Sequence, residues 1–196
     1  MVWQGKRALV LVDGPNLRWS ARRAWGYRCL NVDIRGLAET LCQRHGLELV
    51  QVRFYQGLAA ASHAPVRRLR EVRELADRRR QGVRIFAHEI YHGHEKGVDV
   101  HIALDAVRLS ARGAFDAVVL LSVDRDFADL PSVASGASFA VAYLPDDESA
   151  LCAVRGLGRF ARMPITRAMY DAHLDVSRCR VAEDWRGVAV ARGAER

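Results

Sequence analysis

The 196-residue sequence is poor in lysine and has few cysteines. It holds only Lys6 and Lys96, and its cysteines are Cys29, Cys42, Cys152 and Cys179. No two cysteines form a CxxC pair, which argues against a zinc site and favours free thiols buried in a core. No apolar run is long enough to cross a bilayer, which excludes a helical membrane span. The opening MVWQGKR lacks the apolar stretch of a signal peptide. These absences read as a soluble cytoplasmic protein with no membrane partner. Neither an internal repeat nor a low-complexity tract is present, so solenoid architectures are excluded.

What is present suits one domain with a tail. Half the residues are hydrophobic, enough for a sizeable core. Thirty Lys+Arg against 23 Asp+Glu give a net charge of +7, compatible with a polyanionic partner.

Short Val- and Leu-rich runs alternate with helical stripes. RALVLVD (7–13), LELVQVRFY (47–55), VRIFAHEI (83–90), FDAVVLLS (115–122) and SFAVAYL (138–144) read as strands, with RFARMPI (159–165) as an edge strand because of Pro164. Helices are predicted over 31–46, 65–82, 96–113 and 146–158, with another beginning at 124. The rhythm predicts an α/β fold, a mainly parallel sheet with helices on both faces. It fades near residue 166, which sets a domain over 1–165 and a tail over 166–196. On the 65–82 helix the expected buried stripe is Val66, Leu69, Val72 and Ala76.

Asp13 ends the first strand, Asp99 opens the 96–113 helix, and Asp124 and Asp126 follow the fourth strand. A doubly wound sheet would bring all four to its C-terminal edge, where strands 1 and 4 can be neighbours. Crowded carboxylates repel unless a cation neutralises them, and hard Mg²⁺ or Mn²⁺ suits oxygen ligands. Asn16 and Ser122 fall beside the same edge, where an amide, a hydroxyl or a helix N-terminus can meet phosphate oxygens. Lys96 precedes Asp99 by three residues and suits the same contact. Each acid also has a plainer reading. Asp13 can cap the next helix, and Asp99, Asp124 and Asp126 can favour helix dipoles. Asp105 lies about 240° round an ideal helix from Asp99 and is expected to face elsewhere.

The segments LVDGPNL, KGVDVHIALDAV and AVVLLSVDRDFADL, in that order, resemble the NYN domain of the LabA-like branch of the PIN-like nucleases. The resemblance covers about residues 7–163. It implies a three-layer α/β/α, Rossmann-like PIN fold and a metal-dependent ribonuclease site using Mg²⁺ or Mn²⁺. Asp13, Asp99, Asp124 and Asp126 would form the acidic, metal-holding cluster, with Asn16 in the first motif and Lys96 in the second. Two positions depart from the pattern: Val123 stands where a Gly is common, and Arg125 where a Ser is common. The implied reaction is in-line hydrolysis of an RNA phosphodiester. An alternative is a module that binds RNA without cutting it. A third, a phosphotransferase with Asp124 as nucleophile, wants a late lysine that this chain does not have.

Partners read as RNA, single-stranded or structured, with self-association left open. Candidate RNA contacts are Arg18, Arg22 and Arg23 beside Trp19 and Trp25, Arg125 at the third motif, and Arg78–Arg80 on the arginine-rich helix. The tryptophans can equally pack a loop. His88, His92, His94 and His101 match no zinc spacing and are expected in a polar loop beside the site.

Overall fold

Apolar residues fill β1 (Lys6–Asp13) from Ala8 to Val12, and all are buried. Such a strand needs cover on both faces, and the structure supplies it. The computed structural model describes residues 3–60, 64–91, 94–95, 97–134 and 136–175. His92, Lys96 and Cys179, singled out above, lie outside the described residues.

β1 pairs in parallel with β2 (Leu47–Leu58) on one side and β5 (Ala117–Leu121) on the other. Beyond them lie β3 (Arg84–Tyr91), the two-residue β4 (His94–Glu95), β6 (Ser138–Tyr143) and β7 (Ala161–Pro164). The strand order is β4-β3-β2-β1-β5-β6-β7, and only β4 pairs antiparallel. Pro164 sits on an edge strand, where its missing N–H is harmless.

Alternation along the strands splits the core in two. Ala8, Val10 and Val12 face α1 (Gly14–Trp25), α2 (Ile34–Arg44) and α3 (Pro65–Arg80). Leu9 and Leu11 face α4 (Val98–Ala111), α5 (Leu130–Val133) and α6 (Glu148–Gly156). The result is a three-layer α/β/α fold. The chain stays packed past residue 165: α7 (Arg167–Asp171) buries Met169 and Tyr170 in the first core, and Leu174 bridges to Val32.

α3 departs from its predicted stripe. Val66, Leu69 and Val72 are exposed, Val66 at 82 %, while Glu71, Leu75 and Arg78 face the sheet.

 The helix is turned by about 150° because polar anchoring decides its roll. Glu71 Oε2 accepts from the Ala59 backbone N–H at 2.8 Å, capping the end of β2. Arg78 donates to the Leu30 carbonyl at 2.9 Å and lies over the Phe54 ring at 4.7 Å. At 1 % exposure Arg78 is a core residue, which removes it from the expected phosphate contacts. Arg80 pairs with Asp77. The cysteines also differ from expectation: Cys42 is buried, its thiol pushed up to about 12 by burial, but Cys152 is exposed.

Candidate acidic site

The strand order reverses between β1 and β5, so their C-terminal ends flank the crevice where ligands bind in doubly wound sheets. Asp13 closes β1, and its side chain caps α1 by accepting the Asn16 backbone N–H at 3.0 Å. Capping and site placement therefore coincide in one carboxylate. The other oxygen, Oδ2, accepts from Ser122 Oγ at 2.9 Å, and Ser122 Oγ accepts from the Asp124 backbone N–H at 3.3 Å. Asn16 Oδ1 accepts from the Val123 backbone N–H at 3.3 Å. These bonds stitch the start of α1 to the loop after β5. The close approach of α1 to the end of β2 requires Gly14, where a Cβ would stand 2.4 Å from Phe54 Cζ and 2.9 Å from the Tyr55 carbonyl oxygen.

Asp99 arrives from the opposite layer. Gly97, at φ 86°, turns the chain into α4 and puts Asp99 in the first helical turn. Its carboxyl is held above the ordinary carboxylate range, first by loss of water and then by the negative charges of Asp124 and Asp126. Asp124 accepts the Asp126 backbone N–H at 3.0 Å and starts a short 3₁₀ turn, Arg125–Phe127.

A cavity of about 470 Å³ is lined by Asp13, Asn16, Asp99 and Asp124, with Pro15, Trp19, Arg23 and Val98. Asp126 is exposed outside this lining, within electrostatic reach of Asp99. Ser122 lies buried behind Asp13 instead of on the wall, so its hydroxyl positions acids and does not reach a phosphate. Arg125 is exposed off the wall and runs beside Gly156. Arg22 is off the wall too, 5.4 Å over the Trp19 ring. Arg23 is on the wall, and Asp147 holds it through bonds of 2.7–3.2 Å.

The two tryptophans part company. Trp19 is 53 % exposed on the cavity wall, whereas Trp25 packs on Tyr27 and Tyr170 and donates to Asp146 at 2.6 Å. Asp147 was not among the predicted site residues. Its signal was the acidic helix start DDE, which is indistinguishable in sequence from an ordinary cap.

Asp105 points away from the crevice. It accepts from Arg53 at 2.7 Å and from the Tyr55 hydroxyl at 2.6 Å. His101 Nε2 lies 3.7 Å from Asp105, and His101 Nδ1 lies 2.9 Å from His88 Nε2. His88 thus belongs to a strand and, through His101, to a half-buried polar chain that leads to Asp105, not to a loop.

A doubly wound α/β protein with a carboxylate-lined crevice at its switch point is the class these features define. The chain belongs to the NYN domain family, whose model matches residues 7–153. That membership implies a nuclease-like activity of the PIN type. A crystal structure of a protein of unknown function from Vibrio parahaemolyticus is similar in fold, with a TM-score of 0.53 and 21 % identity over 81 % of this chain and 93 % of that one. No curated protein matches the chain significantly. No described helix is long and apolar enough to cross a membrane.

Proposed function

We propose that the chain is a metal-dependent ribonuclease that hydrolyses RNA phosphodiester bonds at the acidic crevice. The observation that carries this reading is the meeting of Asp13, Asp99 and Asp124, from three separate parts of the chain, on one cavity wall. Evolutionary membership in the NYN family supports the nuclease class.

The donor set fits a hard divalent ion. Three carboxylates offer only oxygen, and burial, with the negative charges of Asp124 and Asp126, raises Asp99. Among the described residues no three His, Cys, Asp or Glu side chains form a ready-made metal cage. Mg²⁺ does not need one: it is commonly held by one or two carboxylates, waters and the substrate phosphates themselves. Asp13, Asp99 and Asp124 would hold the ion, with Asp126 close by. When bound, Mg²⁺ or Mn²⁺ supplies Lewis-acid polarisation of the phosphoryl group and a water nucleophile at neutral pH.

The chain's own residues do the rest. Ser122 and the Asn16 N–H fix Asp13 as an acceptor. Arg23, anchored by Asp147, presents a positive charge on the wall for a phosphate oxygen. Trp19 offers an aromatic face to an unstacked base, which favours single-stranded RNA. Lys96 belongs to the same motif as Asp99 and is assigned a phosphate contact on that ground. Arg22 and Arg125, off the wall, are assigned to flanking backbone.

The open spacing of the acids favours a second reading, an RNA-binding module that does not cut. Incubation of the full chain with labelled RNA and Mg²⁺ or Mn²⁺ separates the two. The ribonuclease reading expects cleavage that chelator and Asp124→Asn each abolish. Binding without cleavage in every metal would leave the second reading.

A further inference from the structure

On the other flank of α1 lies a second cavity, of about 250 Å³, lined by Arg18, Arg28, Cys29, Leu30, Arg67, Arg70, Glu71 and Glu74. We propose that it is a phosphate-binding site, and that it seats a backbone phosphate of the strand processed at the acidic crevice; that second clause rests on the nuclease reading.

Charge makes the first case. Four guanidinium groups face two carboxylates, and both carboxylates are already engaged. Glu71 accepts from Arg67 and from the Ala59 N–H, and Glu74 accepts from Arg70. Arg28 is exposed and has no acidic partner among the described residues. Arg18 meets only a neutral group, Gln56 Oε1, at 3.4 Å.

Unsatisfied donors make the second case. Arg18 Nε and Gln56 Nε2 are both buried, and neither has a hydrogen-bond partner. Gln56 is 3 % exposed, so water does not readily compensate its N–H groups. Both orphans are donors; Arg18 is on the cavity wall, and Gln56, off the wall, is its hydrogen-bond partner. The Arg18 guanidinium asks for an acceptor with several oxygens, and guanidinium forks match phosphate in geometry. A metal ion or a cationic ligand is excluded by the same donors.

Position makes the third case. Asn16, Trp19 and Arg23 line the acidic crevice, whereas Arg18 is turned about 200° from Asn16 around the same helix. Gln56, which accepts from Arg18, follows Tyr55, the register partner of Asp13, so Arg18 is held at the end of β2 next to the end of β1. One helix, roughly 10–12 Å across, separates them. A strand lying over α1 can therefore meet Trp19 between the two sites.

The test uses the full chain carrying Arg18→Gln and Arg28→Gln, with Arg28→Gln alone as a variant whose exposed loop position spares the fold. Binding of a short single-stranded RNA is measured against salt in an Asp124→Asn background, and pyrophosphate binding by calorimetry. RNA affinity should fall about tenfold, as for loss of charge-assisted hydrogen bonds. The slope of log affinity against log salt should flatten by about 0.7, the value for one single-strand phosphate. Pyrophosphate binding should be lost, and the cleaving chain should show a raised KM. Unchanged affinity, slope, KM and pyrophosphate binding in a chain that still cuts RNA would overturn the phosphate site and leave the nuclease reading standing. Pyrophosphate binding that needs Arg18 and Arg28 in a chain that never cuts RNA would uphold the site and remove the nuclease reading.

Discussion

Ser122 Oγ donates a 2.9 Å hydrogen bond to Oδ2 of Asp13, residues 109 positions apart in sequence. This contact joins the ends of β1 and β5 at the point where the sheet changes direction. It fixes one carboxylate of the crevice through a side chain that never reaches the cavity. Ser122 is thus a positioning residue.

Ser122→Ala is expected to lower cleavage while destabilising the fold by about 1.5–3 kcal/mol, the loss of one buried hydrogen bond to a charged group. The loss should fall on kcat more than on KM, because Asp13 loses its orientation and the wall keeps its lining. Ser122→Thr keeps the hydroxyl and should restore part of the rate. Equal loss in the Ala and Thr variants would assign the defect to packing instead.

Asp99 carries a second expectation, because burial raises its carboxyl and the charges of Asp124 and Asp126 raise it further. Its folded value lies above its unfolded one, so the folded chain holds the proton more tightly. Stability from this group is full below the unfolded value, about 3.9, and is lost as pH rises through the folded value. Asp99→Asn removes the repulsion and should raise the Tm of metal-free chain at neutral pH. Mg²⁺ should raise the Tm of the native chain more than that of the variant. Calorimetric scans with and without the ion check both signs.

The buried trio of Arg53, Asp105 and Tyr55 predicts a purely structural effect. Burial, then the Asp105 charge, pushes the Tyr55 phenol upward, so it stays a hydrogen-bond donor. Asp105→Ala leaves the Arg53 guanidinium buried without its carboxylate and should cost about 3–5 kcal/mol. Urea denaturation would measure it. A loss well under 1 kcal/mol would show that the cluster is not sealed from water.

Much of this architecture is written in local patterns. Six strands, a mainly parallel sheet and helices on both faces follow from short Val- and Leu-rich runs alternating with helical stripes, and the pairing of β1 with the fourth predicted strand, β5, fits the expected reversal beside β1. The meeting of Asp13, Asp99 and Asp124 was legible too, because strand ends of a doubly wound sheet share an edge. What escaped depends on long-range partners. The roll of α3 was misread because Val66, Leu69 and Val72 make a better apolar stripe than Leu75 alone; Glu71 and Arg78 win by bonding to Ala59 and Leu30. Ser122 looked like a phosphate contact because its bond to Asp13 spans the whole central chain. Arg23 was expected at phosphate with no hint that Asp147, 124 residues away, would grip it.

That grip gives the last expectation. Arg23 is partly exposed, but Asp147 is buried and also caps α6 through the Ser149 N–H at 3.1 Å. Burial alone would raise Asp147; hydrogen bonds from Arg23 and Ser20 outweigh it and hold the carboxyl below its ordinary range. Its contribution to stability is therefore present above the unfolded value, about 3.9, and disappears as pH falls through the lower folded value. Arg23→Ala leaves a buried carboxylate short of its cation and should cost about 1–3 kcal/mol at neutral pH, the low end applying because solvent screens the exposed guanidinium. Denaturation midpoints of native and variant chains should converge as pH drops below 3.9, since protonated Asp147 no longer needs Arg23. In RNA binding the same variant should weaken affinity by more than its stability loss explains, because the wall loses a charge as well as a brace. Parallel pH profiles, with the gap undiminished in acid, would show that the pair contributes packing and not charge.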